Sequence, residues 1–115
     1  MTRATARETA YESELFRLEV HPERDTVRIA PVGELDMVGS EQLDQRLNEL
    51  YDAGFRNLVI DLRRVTFIDS QGLALIILWD AHARQNGLQL SLIQGPPVVQ
   101  RIFELTGVLD RLPFR

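Results

Sequence analysis

The run Leu58-Val59-Ile60-Asp61-Leu62 is almost unbroken in apolar side chains, and no other stretch restricts the possible folds as much. A strand that wets one face alternates apolar and polar residues. A continuous apolar strand is covered on both faces, as in parallel sheets whose crossover helices pack against them. Helical spacing on both sides of the run supplies such crossovers.

Ser40 is expected to open a first helix, with Leu43, Leu47, Leu50 and Tyr51 at helical spacing and Gly54 as its stop. The apolar strand then leads into a second helix that begins at Asp69-Ser70 and ends near Gly87. Leu88, Leu90 and Leu92 alternate with Gln89 and Ser91 as a further strand. Gly95-Pro96-Pro97 turns the chain into a last helix, with Val98, Val99, Ile102, Phe103 and Leu105 on its buried side and Gly107 at its end. Upstream, Phe16, Leu18 and Val20 alternate with Arg17 and Glu19, and Val27 and Ile29 resume the alternation after a polar turn from His21 to Thr26. That pattern is an antiparallel hairpin, whose second strand needs an edge or a bulge near Pro31, a residue with no N–H to give. The order ββαβαβα describes an α/β fold, a mixed β-sheet with helices packed mainly on one face.

A chain of 115 residues can bury one core without disulfides or metal. Its net charge of -4 argues against nucleic acid or an anionic membrane as partner. The absence of cysteine excludes thiol chemistry and cysteine zinc sites, and suits a reducing cytoplasm. His21 and His82 have no metal-ligand spacing, so no metal or cofactor is expected. Residues 1–14 read as a flexible polar arm without the apolar core of a signal peptide, ahead of a domain over 15–115. The longest apolar run, Leu73 to Trp79, is far short of a membrane span, and no membrane insertion is expected.

The segment Val65-Thr66-Phe67-Ile68-Asp69-Ser70-Gln71-Gly72-Leu73 places a hydroxyl where a strand gives way to a helix. A helix N-terminus carries unpaired N–H groups and a partial positive charge, so Ser70 can accept a phosphate without unfolding the chain. Asp69 or Ser70 can equally be an N-cap and nothing more. Residues 100° apart place Ala74, Ile77 and Ala81 on the stripe of Ser70, while Gly72, Ile76, Trp79 and Ala83 form another. Leu75 and Leu78 extend apolar character nearly all round, more than one core can cover, which points to a docking surface centred on Ser70, Ala74, Ile77 and Leu78.

Three blocks in order carry a family resemblance: Gly33-Glu34-Leu35-Asp36, then Phe67-Ile68-Asp69-Ser70-Gln71-Gly72-Leu73, then Val99-Gln100-Arg101-Ile102-Phe103-Glu104-Leu105-Thr106-Gly107. Over about Phe16 to Leu112 the chain resembles the STAS domain of bacterial anti-sigma factor antagonists. The resemblance implies a STAS-like sheet and Ser70 as the phosphate acceptor. It also implies an unmodified form that binds an anti-sigma factor, itself a serine protein kinase, and so frees a sigma factor for transcription. A serine phosphatase would reverse the reaction. Partner contacts are then expected from Asp36, Asp69, Ser70, Gln71, Gly72, Ala74, Ile77 and Leu78. Gln71 departs from relatives with a second hydroxyl there, and Leu112-Pro113-Phe114-Arg115 leaves no room for the further helix of many members.

The same fold could instead serve as a scaffold or regulatory subunit of a transport system or signalling assembly. An enzyme using Asp36 and Asp69 as an acid/base pair is disfavoured, because no histidine, metal cluster or phosphate-cradling glycine motif accompanies them. Nucleotide and magnesium belong to the kinase in the favoured reading.

Overall fold

The computed structural model describes residues 15–115, so the arm expected over 1–14 lies outside the described residues. β1 (Phe16–Glu23) and β2 (Thr26–Leu35) form the antiparallel hairpin. Only Arg24 and Asp25 join them, a tighter connection than the polar stretch suggests, because His21, Pro22 and Glu23 stay paired in the ladder. Arg24 takes the left-handed φ of 62° there.

The chain continues through α1 (Met37–Asp52), β3 (Asn57–Asp61), β4 (Val65–Ile68), α2 (Ser70–Asn86), β5 (Gln89–Ile93) and α3 (Pro97–Leu105), then a 3-10 turn at Leu109–Arg111. The order is therefore ββαββαβα, one strand more than the expected ββαβαβα. The apolar strand does not run straight into the second helix. At Leu62 the chain turns: the Val65 N–H donates to the Leu62 carbonyl (3.1 Å) and the Arg63 N–H to Asp61 Oδ1 (3.0 Å), so a new strand starts at Val65.

Five strands make one mixed sheet in the order β1-β2-β3-β5, with β4 also paired to β2. Along one side of β2, Val27–Ile29 pair in parallel with Leu58–Ile60 of β3, and Gly33–Leu35 pair in parallel with β4. Pro31 falls between these two partners. The Gly33 N–H donates toward β4, to the Arg64 carbonyl (3.1 Å), while the Glu34 N–H donates to Leu15 on the β1 side (2.9 Å). By that alternation the N–H that Pro31 lacks would have faced the seam where β3 has ended and β4 has not begun. The expected irregularity is a register shift between Gly33 and Glu34. Gly33 has φ of 110°, and a Cβ on it would overlap the Leu15 carbonyl, so this position requires glycine.

Val27, Ile29, Leu58, Ile60 and Leu92 of the sheet, Leu43 and Leu47 of α1, Ile76 and Trp79 of α2, and Val99 and Phe103 of α3 belong to one buried cluster. Each fully buried side chain of this size contributes about 1.5–3 kcal/mol through removal from water. In α3 the burial is narrower than its sequence suggests. Val99 and Phe103, one turn apart, are enclosed, whereas Val98 and Leu105 are 60% and 70% exposed, because nine residues touch the sheet along a single line at β4.

Strand alternation turns Asp61 away from Ile60 and the helices, and it is nearly sealed, at 4% exposure. Arg28 donates to it from β2 (3.1 Å) and Arg63 from the following turn (2.8 Å). The bond from Arg63, supported by Arg28, holds the Asp61 carboxyl below its ordinary value against the opposing effect of burial.

Candidate functional site

β2 and β4 run parallel and end in register, Leu35 opposite Ile68. The next residue in each chain segment is an aspartate, so Asp36 and Asp69 leave the sheet side by side at the carboxyl ends of two neighbouring strands. Each then caps a helix. Asp36 Oδ1 accepts from the Gly39 N–H (3.0 Å), and Asp69 Oδ1 accepts from the N–H groups of Gln71 (2.9 Å) and Gly72 (3.1 Å). The first helix therefore opens at Asp36, not at Ser40, which lies a turn inside it and is buried. Ser40 matched the residue preference of a cap, but the chain has already turned helical at Met37.

The two glycines share a second duty. A Cβ on Gly39 would stand 2.6 Å from the Glu34 carbonyl, and one on Gly72 would stand 2.6 Å from that of Leu35. Both helices thus press their first turn against the last residues of β2 through a position with no side chain. Gly72 is buried in that contact. It sets the approach of α2 to the sheet, a packing role beside the partner contact expected of it.

Ser70 is the first residue of α2 and is exposed, its hydroxyl-bearing position outside the buried cluster. Ala74 is exposed on the next turn, and Ile77 and Leu78 follow at 37% and 65% exposure. Gln71 is exposed, and Asp36 and Asp69 are partly so. The stripe of Gly72, Ile76, Trp79 and Ala83 is buried, so α2 divides along the line its sequence drew. The donors expected to receive a phosphate are already occupied, however. Asp69 holds the Gln71 and Gly72 N–H groups, so a phosphate on Ser70 meets a helix terminus that a carboxylate has reached first.

Three apolar residues beside this site escaped the sequence reading. Met37 and Val38, each 53% exposed, form the first turn of α1, and Phe67, 49% exposed, precedes Ile68 in β4. Their signal was present in the spacing. Met37 and Val38 directly follow a capping aspartate, where first-turn side chains stand clear of the core. Thr66 and Phe67 lie between buried Val65 and Ile68, so β4 shows two consecutive residues outward.

Among the described residues no group of His, Cys, Asp and Glu could hold a metal ion, and no helix is long and apolar enough to cross a membrane.

A family model described as Mlab, STAS domain matches residues 16–113. BtrV of Bordetella bronchiseptica, whose name describes an anti-sigma factor antagonist, is 35% identical over 81 residues, covering 70% of each chain. The anti-sigma-B factor antagonist of Staphylococcus aureus is 31% identical over 78 residues, covering 68% of this chain and 72% of its own. The anti-sigma factor antagonist SpoIIAA in its unphosphorylated form superposes with a TM-score of 0.70 at 25% identity, over 87% of this chain and 85% of that one. SpoIIAA in its phosphorylated form gives a TM-score of 0.66 at 24% identity, over 87% and 88%.

Proposed function

The chain belongs to the STAS domain family, and from that premise we propose that it is an anti-sigma factor antagonist whose docking face is switched by phosphate on Ser70. One observation carries the proposal: Ser70 is exposed directly after the capping Asp69, on a face that also shows Ala74, Ile77 and Leu78 to solvent. In this reading the unmodified chain binds an anti-sigma factor that is also a serine protein kinase, and a sigma factor is released. The chain is substrate and ligand, not catalyst, and acts in the cytoplasm with a serine phosphatase to reset it. Asp36, Asp69 and Gln71 flank the acceptor and contact the kinase.

The switch follows from charge placement. Phosphorylation adds about -1.5 to -2 charges at neutral pH. That charge arrives beside Asp69, whose carboxylate already holds two helix N–H groups, and among apolar side chains that a partner must dehydrate. A dianion there loses water without gaining donors unless the partner brings cations, so docking weakens by about 2 kcal/mol or more, about thirtyfold in affinity.

The test mixes the purified chain with a candidate kinase and ATP and locates phosphate by mass spectrometry. Phosphate on Ser70, absent from Ser70→Ala while that variant still binds the kinase in a titration, is the expected result. Modification at another residue with Ser70 untouched rejects the assignment.

A further inference from the structure

The two outer strands of the sheet are finished differently. Beyond β5, the Leu92 N–H donates to the Pro113 carbonyl (2.9 Å), the Arg115 N–H donates to the Leu92 carbonyl (2.9 Å), and Phe114 packs edge-on against Phe103. The chain itself closes that edge. Among the described residues, no strand pairs with the outer side of β1. The hairpin register fixes what β1 presents there. Phe16 lies opposite Gly33, so Leu15 lies opposite Glu34, whose N–H donates to it (2.9 Å), and further bonds to β2 fall on the alternate residues Arg17, Glu19 and His21. The N–H and C=O groups of Phe16, Leu18 and Val20 therefore point away from the sheet. β1 pairs with β2 over all 8 of its residues without a bulge, and a long, regular edge of this kind is a template for another strand.

Charged side chains on an edge keep copies apart when like charges meet. Here Arg17 and Glu19 alternate in sign on the face turned from the helices and bond to each other (2.8 Å), with Arg64 also reaching Glu19 (3.3 Å). When a second β1 is set antiparallel with the two-fold axis at Leu18, Arg17 falls opposite Glu19 of the other copy, and the arginines and glutamates alternate around a square. Each charge then has only opposite neighbours along its sides. In the same register Leu18 exchanges both backbone bonds with its own copy, and Phe16 exchanges both with Val20, which are the residues whose groups point outward. On the helix side Leu18 meets Leu18 and Phe16 meets Val20. Leu18 and Val20 are only partly buried in the single chain, at the margin of the core, and pairing covers them. Pro22, with no N–H to give, lies beyond the paired residues. An axis at Val20 would instead bring Pro22 opposite Leu18 and forfeit a bond at each end.

We propose that the chain forms a two-fold dimer through antiparallel β1–β1 pairing centred on Leu18, with one sheet running through both copies. The occupant of the edge is a second copy because charge, apolar surface and hydrogen-bond register all complement themselves about the same axis. This pairing goes beyond the switch at Ser70 and does not rest on it, since Asp36, Ser70, Ala74, Ile77 and Leu78 all lie outside β1.

Sedimentation equilibrium of the full chain should show monomer and dimer exchanging with a dissociation constant below about 100 μM. Amide hydrogen exchange at Leu18 and Val20 should slow as the concentration rises, because only the dimer occupies those N–H groups. Arg17→Glu and Glu19→Arg each set like charges opposite one another and should weaken the dimer about tenfold or more. Neither position is buried, so urea unfolding of the dilute variants should remain cooperative. Mixed in equal amounts, the two variants should dimerise about as tightly as wild type, since each then faces opposite charge on the other. The proposal is overturned by a full chain that stays monomeric at about 0.5 mM, by amide protection at Leu18 and Val20 that ignores concentration, by single variants that dimerise like wild type, or by a mixture no tighter than its components.

Discussion

At the start of α1, Asp36 caps Gly39 and a methionine follows the cap; at the start of α2, Asp69 caps Gly72 and a serine follows it. The backbone arrangement is the same in both: a strand of the shared sheet ends, an aspartate closes the first turn, and a glycine three residues further on lets the helix touch a β2 carbonyl. What differs is the exposed pair between cap and glycine, Met37-Val38 in one helix and Ser70-Gln71 in the other. Met37 offers apolar surface, Ser70 a hydroxyl. The aspartates and glycines therefore belong to the architecture, and the switch proposed above would reside in Ser70, an exposed side chain that the architecture holds but does not need.

The comparison breaks most visibly at the glycines. Gly39→Ala and Gly72→Ala should each cost about 3 kcal/mol in urea unfolding, since the added methyl would overlap a backbone carbonyl as well as the buried side chains of Phe16 or Ile68. A cost below 1 kcal/mol at either would show that its helix can back away from β2. Next comes charge at the outward residue: Ser70→Asp should weaken partner binding by about 2 kcal/mol in a calorimetric titration, and an affinity equal to wild type would reject the electrostatic switch.

The buried ion pair on the far face supplies a reference outside both termini. Asp61→Asn should destabilise by about 1–3 kcal/mol at neutral pH, because Arg28 and Arg63 lose their charged acceptor. The folded carboxyl titrates below its ordinary value of 3.8, so its contribution is present above that value and disappears as pH falls through the lowered one. Acid denaturation should accordingly bring wild type and Asp61→Asn together; a gap that widens in acid would contradict the assignment. Replacing the caps should cost less: Asp69→Ala and Asp36→Ala about 1 kcal/mol each by thermal melting, the former more because it serves two N–H groups. The smallest effect, within about 0.5 kcal/mol, is expected for Met37→Ser, and a kinase that modifies Ser70 should leave this second hydroxyl alone. Phosphate on both would mean that the terminus, not the sequence around Ser70, is recognised.

Much of this arrangement could be read before any coordinates. Hydrophobic periodicity located the hairpin, three helices and the parallel strands, and the division of α2 into a buried and an outward stripe followed from 100° steps alone. What escaped was governed by short range or by partners distant in sequence. The break at Leu62–Arg64 spans three residues, too few to show against an apolar run, so β3 and β4 read as one strand in the sequence. The sequence points to Ser40 as the cap of α1 because Met37-Val38-Gly39 carries no strong helix signal; the bonds from the Gly39 and Ser40 N–H groups to Asp36 identify the start. The packing role of Gly72 is not legible in the sequence because its neighbour, the Leu35 carbonyl, lies far upstream in the chain.

The seam at Pro31 also divides the mechanics of the sheet. β3 and β4 lie end to end along β2 without being paired to each other, so the strand that delivers Ser70 pairs with the rest of the sheet through Gly33, Glu34 and Leu35 of β2. The mouth of α2 thereby rests on the same strand end as the first turn of its twin helix, Gly72 against Leu35 and Gly39 against Glu34, so the two helix mouths share one support.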